Sequence, residues 1–139
     1  MKLFAVTTLL ALLPLSSVAH AADLRVNVTG VADASGDVYV ALYDKADVWM
    51  KKSLKGTQVA ATKGTTVVVF TDLSAGDYAL SAFHDMDGDK KLNRNVLGMP
   101  TEPFGFSRDA SGAFGPPTFE AAKITVPATG AETTISLKS

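Results

Sequence analysis

Beyond residue 21, apolar side chains recur at every second position in short runs broken by Gly, Asp, Ser and Pro, a period that suits half-buried strands. Seven runs carry it. Leu24, Val26 and Val28 alternate with Arg25, Asn27 and Thr29. Gly30 and the cluster from Asp33 to Gly36 then turn the chain into Val38 to Tyr43, a pattern that predicts an antiparallel hairpin. Thr57 to Ala61 is weaker and suits an edge, whereas the Val-rich run Thr65 to Thr71 suits a buried strand. Tyr78 to Phe83, Ala122 to Val126 and Thr134 to Leu137 complete the set. Short strands at such spacing predict an all-β fold, a seven-stranded antiparallel β-sandwich.

The first 21 residues break the period. Met1 and Lys2 give a positive start, Leu3 to Leu15 an apolar run, and Ala19-His20-Ala21 a small-x-small cleavage site, the pattern of an export signal. The expected organisation is a signal peptide over 1–21 and one domain over 22–139, periplasmic or secreted. No later stretch approaches the roughly 20 apolar residues that span a bilayer, which argues against an integral membrane protein after cleavage. The formal net charge of −1 argues against nucleic acid.

Composition restricts the chemistry further. The chain has no cysteine and two histidines. His20 leaves with the leader, so His84 is the one imidazole of the domain. Thiol nucleophiles, disulfides and Cys/His zinc sites are thereby excluded.

Between the second and third runs, Ala46, Trp49, Met50 and Leu54 fall at helical spacing, with Asp44 or Asp47 placed to cap, which predicts one short helix. Trp49 is expected to plug one end of the sandwich core. From His84 to Pro117 the strand period disappears. So long an excursion is where function concentrates, and Phe104, Phe106 and Phe114 are its expected anchors to the body.

The run F-T-D-L-S-A-G-D-Y, with Phe70, Leu73, Gly76 and Tyr78, resembles the strand-turn-strand signature of prealbumin-like and Cna-B-like sandwich domains, in which the leucine packs inward and the glycine permits the turn. Its continuation, Y-A-L-S-A-F-H-D-M-D-G-D-K-K-L-N-R-N-V-L-G-M-P-T-E-P-F-G-F-S and then G-P-P-T-F-E-A-A, is similar to exported bacterial proteins of domain of unknown function 2141. The resemblance spans essentially the whole mature chain and implies a prealbumin-like or immunoglobulin-like sandwich without an assigned activity. Members often carry asparagines and an aspartate in the polar loop. This chain has Asp87, Asp89 and Asn93 there, swaps that keep oxygen donors.

The strongest chemical signal is Asp85-Met86-Asp87-Gly88-Asp89, followed by Leu92, Asn93 and Asn95. Alternating aspartates around a glycine can converge their oxygens, and calcium takes six to eight oxygen ligands at about 2.3–2.6 Å. Asp85, Asp87 and Asp89 fit positions one, three and five of an EF-hand loop, and the Lys91 carbonyl fits seven. The second half departs: Lys90 replaces the glycine at six, Val96 replaces the glutamate at twelve, and no helical pattern flanks the loop. Two readings stay open. One is a looser calcium loop completed by Asn93, Asn95 or the distant Glu102; the other is an Asx-rich turn whose charges Lys90, Lys91 and Arg94 compensate. Magnesium fits less well, since nothing supplies a phosphate partner.

His84 either pins the strand end by bonding loop backbone or pairs with Asp85 for acid–base work, which would make the chain a small periplasmic enzyme centred on those two residues. Phe104 and Phe106 share a parity across Gly105. They either pack as core aromatics of the loop or line a groove edged by Glu102 and Arg108. Phe119 is expected to start the return to strand. The function that fits best is a non-catalytic binding or envelope accessory module using the 84–117 loop, with calcium as its candidate cofactor and a small ligand or an envelope protein as its partner.

Overall fold

The computed structural model describes Pro14 and residues 21–139, so the expected leader, Pro14 and Ala21 apart, lies outside the described residues. Eight strands form: β1 (Ala22–Val31), β2 (Asp37–Tyr43), β3 (Lys55–Ala60), β4 (Gly64–Leu73), β5 (Gly76–Asp85), β6 (Phe104–Phe106), β7 (Ile124–Val126) and β8 (Ala131–Ser136). Two sheets result. One has the order β4-β1-β8, the other β3-β2-β5-β6, with β7 pairing the start of β5. Every pair is antiparallel except β1 with β8, which run parallel from Leu24 opposite Ala131.

The inward stripes are those the alternation gives. Leu24, Val26 and Val28 of β1, Val38, Val40 and Leu42 of β2, and Tyr78, Leu80 and Ala82 of β5 are all buried in one core cluster with Val68, Phe70, Leu73 and Ile135. Their burial supplies the main driving force for closing the two sheets.

The pairing departs from expectation. β1 and β2 form no hairpin: β1 pairs β4 and β8, while β2 pairs β3 and β5. Each strand carries an apolar face, and such a face is satisfied equally by a neighbour in the sheet or by the opposite sheet, so the short connection crosses between layers. β3 is an edge, as its weak pattern suggests, but β4 is an edge too, and its Val67 and Val69 are exposed. At the β4–β5 corner Leu73 and Tyr78 are buried, and the Tyr78 hydroxyl donates to the Ser74 carbonyl at 2.6 Å. Asp72 is the left-handed residue of that corner, at φ 58°; Gly76 is not, and a β-carbon there would meet nothing within 4 Å.

A second apolar cluster covers part of the outer face of the larger sheet: Tyr43, Ala79, Phe106, Phe119 and Ala122, joined by Trp49. Trp49 therefore closes this outer face rather than an end of the core. It stands edge-on to Tyr43 and Phe119, and its Nε1 donates to the Pro117 carbonyl at 2.8 Å. The helix expected through Ala46, Trp49, Met50 and Leu54 shrinks to one 3-10 turn, Ala46–Val48, with Lys45 at the cap and no side-chain capping bond.

Two further corrections fall in the excursion. Phe119 starts not a strand but a single helical turn, α1 (Phe119–Ala122), because the Thr118 hydroxyl accepts from the Ala121 amide and closes the first turn. Phe114 is fully exposed and anchors nothing. Phe104 and Phe106 do anchor, on β6, which pairs Ser81–Phe83 of β5. Gly105 between them faces inward, where a β-carbon would stand 2.7 Å from the Ser136 carbonyl oxygen; only glycine lets β6 approach β8 so closely.

Candidate metal centre

The centre grows out of the last residue of β5. Asp85 is fully buried, and its two oxygens accept from the Gly88 amide at 3.0 Å and the Lys90 amide at 2.8 Å. Asp87 accepts from the Asp89 amide at 3.2 Å, and Asp89 from the Lys91 amide at 2.9 Å. These successive turns coil the backbone around its own carboxylates. Gly88 and Lys90 both take left-handed conformations, at φ 75° and 65°. Lys90 thus adopts the sharp turn that an EF-hand assigns to glycine at the sixth position.

The return limb brings Glu102. It is 6% exposed, just ahead of Pro103 and β6, and is tied to the loop by Asn93, whose backbone amide and Nδ2 each lie 3.4 Å from one of its oxygens. One oxygen from each of Asp85, Asp87, Asp89 and Glu102 falls within 4.8 Å of the others.

This concentration of negative charge is uncompensated by side chains. Among the described residues the ion pairs are Arg25–Glu132 and Lys123–Glu120, neither at the centre. Arg94 instead donates to the Gly98 carbonyl, and Lys90 and Lys91 reach the aspartates through backbone amides. Burial pushes the Glu102 carboxyl above its ordinary value, and the charges of Asp87 and Asp85 push the same way against the amides of Asn93 and Met86. Asp87 is held below its ordinary value, first by the Asp89 amide. The Tyr39 phenol is pushed up by burial and then by Asp85, Asp37 and Asp89, and its buried oxygen has no hydrogen-bond partner among the described residues.

Carboxylates gathered in this way offer several oxygen lone pairs to one point, the arrangement a hard divalent cation takes. The other expected ligands stand differently. Asn93 presents its Nδ2 to Asp87 and Glu102 and so bridges carboxylates. The Asn95 Oδ1 is taken by the amides of Leu97 and Met99 in a turn of its own.

His84 and Asp85 project to opposite faces of β5. His84 is fully buried, its Nε2 donates to the Ser35 carbonyl at 2.6 Å, and its Nδ1 has no partner among the described residues. It pins the strand end to the turn before β2. Arg108 is exposed at φ 60°, and neither it nor Glu102 lines the depression beside Phe104 and Phe106. Phe104 and Phe106 border a depression of about 130 Å³ with Asp109, Ala110 and Lys138. A larger open groove, about 370 Å³, lies elsewhere on the same sheet, between β3 and the stacked pair Tyr39–Phe83. Sequence reasoning missed it. Its signal is the outward parity of β2 and β5, where Tyr39, Ala41, Ser81 and Phe83 are small or aromatic and never charged.

No match was found among curated proteins or among solved structures. A family model does match, over residues 26–136, and its description is an uncharacterised protein conserved in bacteria. That span runs from β1 to the end of β8 and includes the whole carboxylate loop, so the chain belongs to domain of unknown function 2141.

Proposed function

We propose that the chain is an exported, non-catalytic binding or envelope accessory module whose 84–117 excursion is held to the sandwich by calcium. The observation that carries this reading is the buried pair Asp85 and Glu102, meeting Asp87 and Asp89 within 4.8 Å with no basic side chain among the described residues ion-paired to any of them. Burying charge without a partner is costly, and proteins that do so pair it or place a metal there. Calcium suits the centre better than magnesium, because it accepts irregular shells of six to eight oxygens, whereas magnesium demands a near-ideal octahedron and keeps much of its water. The ion would join the outgoing limb, at Asp85 to Asp89, to the returning limb, at Glu102. It would thereby fix where β6 and its aromatic residues meet the sheet. A module of this kind works by presenting a stiffened loop.

Affinity in the range of about 10⁻⁴ to 10⁻³ M is expected, since the loop lacks the bidentate glutamate of a tight EF-hand and carries Lys90 and Lys91 nearby. Calorimetric titration of the mature protein with calcium tests the reading. Heat that saturates in that range, and disappears in Asp87→Ala while the metal-free fold is retained, supports it. No heat at millimolar calcium, together with a melting temperature unmoved by chelator, refutes it.

A further inference from the structure

Of the sheet edges, β4 is the long one. It runs ten residues, Gly64–Leu73, beside β1, and among the described residues no strand pairs its other side. Its register with β1 is unbroken from Thr65 to Phe70, between an irregularity at either end. The Lys55 ammonium holds the Thr71 carbonyl at 2.7 Å, and no charged side chain stands on the strand from Gly64 to Thr71. The other edges are guarded. β3 is six residues long and carries Lys55, while β6 and β7 have three residues each. β8 carries Glu132 and is closed at its end, where the Ser136 amide donates to Asp109 Oδ1 at 3.0 Å. Proteins keep edge strands from pairing by shortness, charge or a covering segment, and among the described residues Thr65–Phe70 has none of these.

We infer that β4 pairs antiparallel with β4 of a second copy of this chain, joining two β4-β1-β8 sheets into one, a role beyond the cation reading and independent of it. The strand's match to itself selects that occupant. Its outward side chains are Thr65, Val67, Val69 and Thr71, all exposed, Val67 by 37% and Val69 by 48%. That row reads the same from either end. A twofold axis through Val68, normal to the sheet, sets Val67 of each copy opposite Val69 of the other, and Thr65 opposite Thr71. A twofold contact uses one patch against itself and so demands such a match, and paired β-branched side chains are favourable across strands. A slip by one residue would set the outward row of one copy against the inward row of the other. The same axis brings the Lys63 end of one strand beside the Asp72 end of the other, so opposite charges meet at both ends of the junction. One strand against one strand is a narrow contact, which places the pairing among small, weak interfaces.

Sedimentation equilibrium of the mature protein in chelator, at concentrations from about 10⁻⁵ to 10⁻³ M, tests the inference. A monomer–dimer equilibrium with a midpoint on the order of 10⁻⁴ M is expected, with no larger species because β8 is guarded. The double variant Val67→Lys, Val69→Lys sets lysine opposite lysine across the junction and should raise that midpoint about tenfold or more, and Val67→Glu, Val69→Glu should do the same. Mixed together, the two variants should associate at least as readily as wild type, because the register then sets every lysine opposite a glutamate. Amide exchange of the wild type needs no variant: the amides of residues 65–71 should slow as concentration rises through the midpoint. Since chelator removes calcium, association here supports the pairing even where calorimetry detects no cation. A protein that stays monomeric over the whole range overturns the pairing and leaves the cation reading untouched. Assembly that the lysine variant retains, failure of the mixed variants to associate, growth beyond a dimer, or slowed exchange confined to other strands also overturns it.

Discussion

Gly36 lies directly against the backbone of Asp85: a β-carbon at position 36 would stand 1.8 Å from the Asp85 carbonyl oxygen and 3.3 Å from the Met86 Cα. Gly36 is also left-handed, at φ 62°. The turn that precedes β2 and the first residue of the carboxylate loop are thus packed backbone to backbone, with His84 bonded to Ser35 beside them. Gly36→Ala should destabilise the fold by about 2 to 4 kcal/mol, the sum of a left-handed non-glycine and a clash that only main-chain movement relieves. Denaturant unfolding measures it. Because the movement displaces Asp85, the variant should also bind calcium more weakly than wild type.

Ser107 gives a second prediction. It is fully buried, its Oγ accepts from the Leu80 amide at 2.9 Å, and it donates to the Ala122 carbonyl, so one hydroxyl ties the end of β6 to β5 and to α1. Ser107→Ala leaves a buried amide and a carbonyl without that partner, and should cost about 1 to 3 kcal/mol by the same unfolding measurement.

Tyr78 predicts a pH dependence. Burial, and then the charge of Asp44, push its phenol above the ordinary value of 10.0. The folded state therefore holds this proton more tightly than the unfolded chain, so stability is full below the unfolded value and falls as pH rises through it toward the folded one. Tyr39 is shifted in the same direction and contributes to the same loss. Unfolding curves from neutral pH to above about 10 should show the decline. Tyr78→Phe should flatten it in part, while losing about 1 kcal/mol at neutral pH with the bond to Ser74.

The strands were legible where one face alone is buried, as in Leu24, Val26, Val28 and Val38, Val40, Leu42. Their partners were not, because alternation states which side chains face inward and not whether the next apolar stripe lies beside the strand or across the core. β6 escaped notice for another reason. Phe104-Gly105-Phe106 is too short to display a period, and its strand state comes from bonds to Ser81–Phe83 and Lys138, far away in sequence. Phe119 follows Thr118, and that local cap decides for helix over the strand pattern beyond it. At the centre, the spacing of Asp85, Asp87 and Asp89 around Gly88 carries the coiling of the loop. Which distant carboxylate joins depends on the course of residues 92–102, where Asn93 rather than any periodic pattern aligns Glu102.

Glu102 offers the most direct measurement of whether a cation holds this loop. In chelator, its buried carboxylate faces Asp85 and Asp87 at a cost, so Glu102→Gln should melt at or above the wild-type temperature. In calcium at about 100 times the dissociation constant, wild type should gain about 2.7 kcal/mol and melt higher, and Glu102→Gln should gain far less. The order of the two melting temperatures should therefore reverse between chelator and calcium. A wild-type melting temperature that does not move with calcium, or a Glu102→Gln variant that gains as much as wild type, would contradict the account.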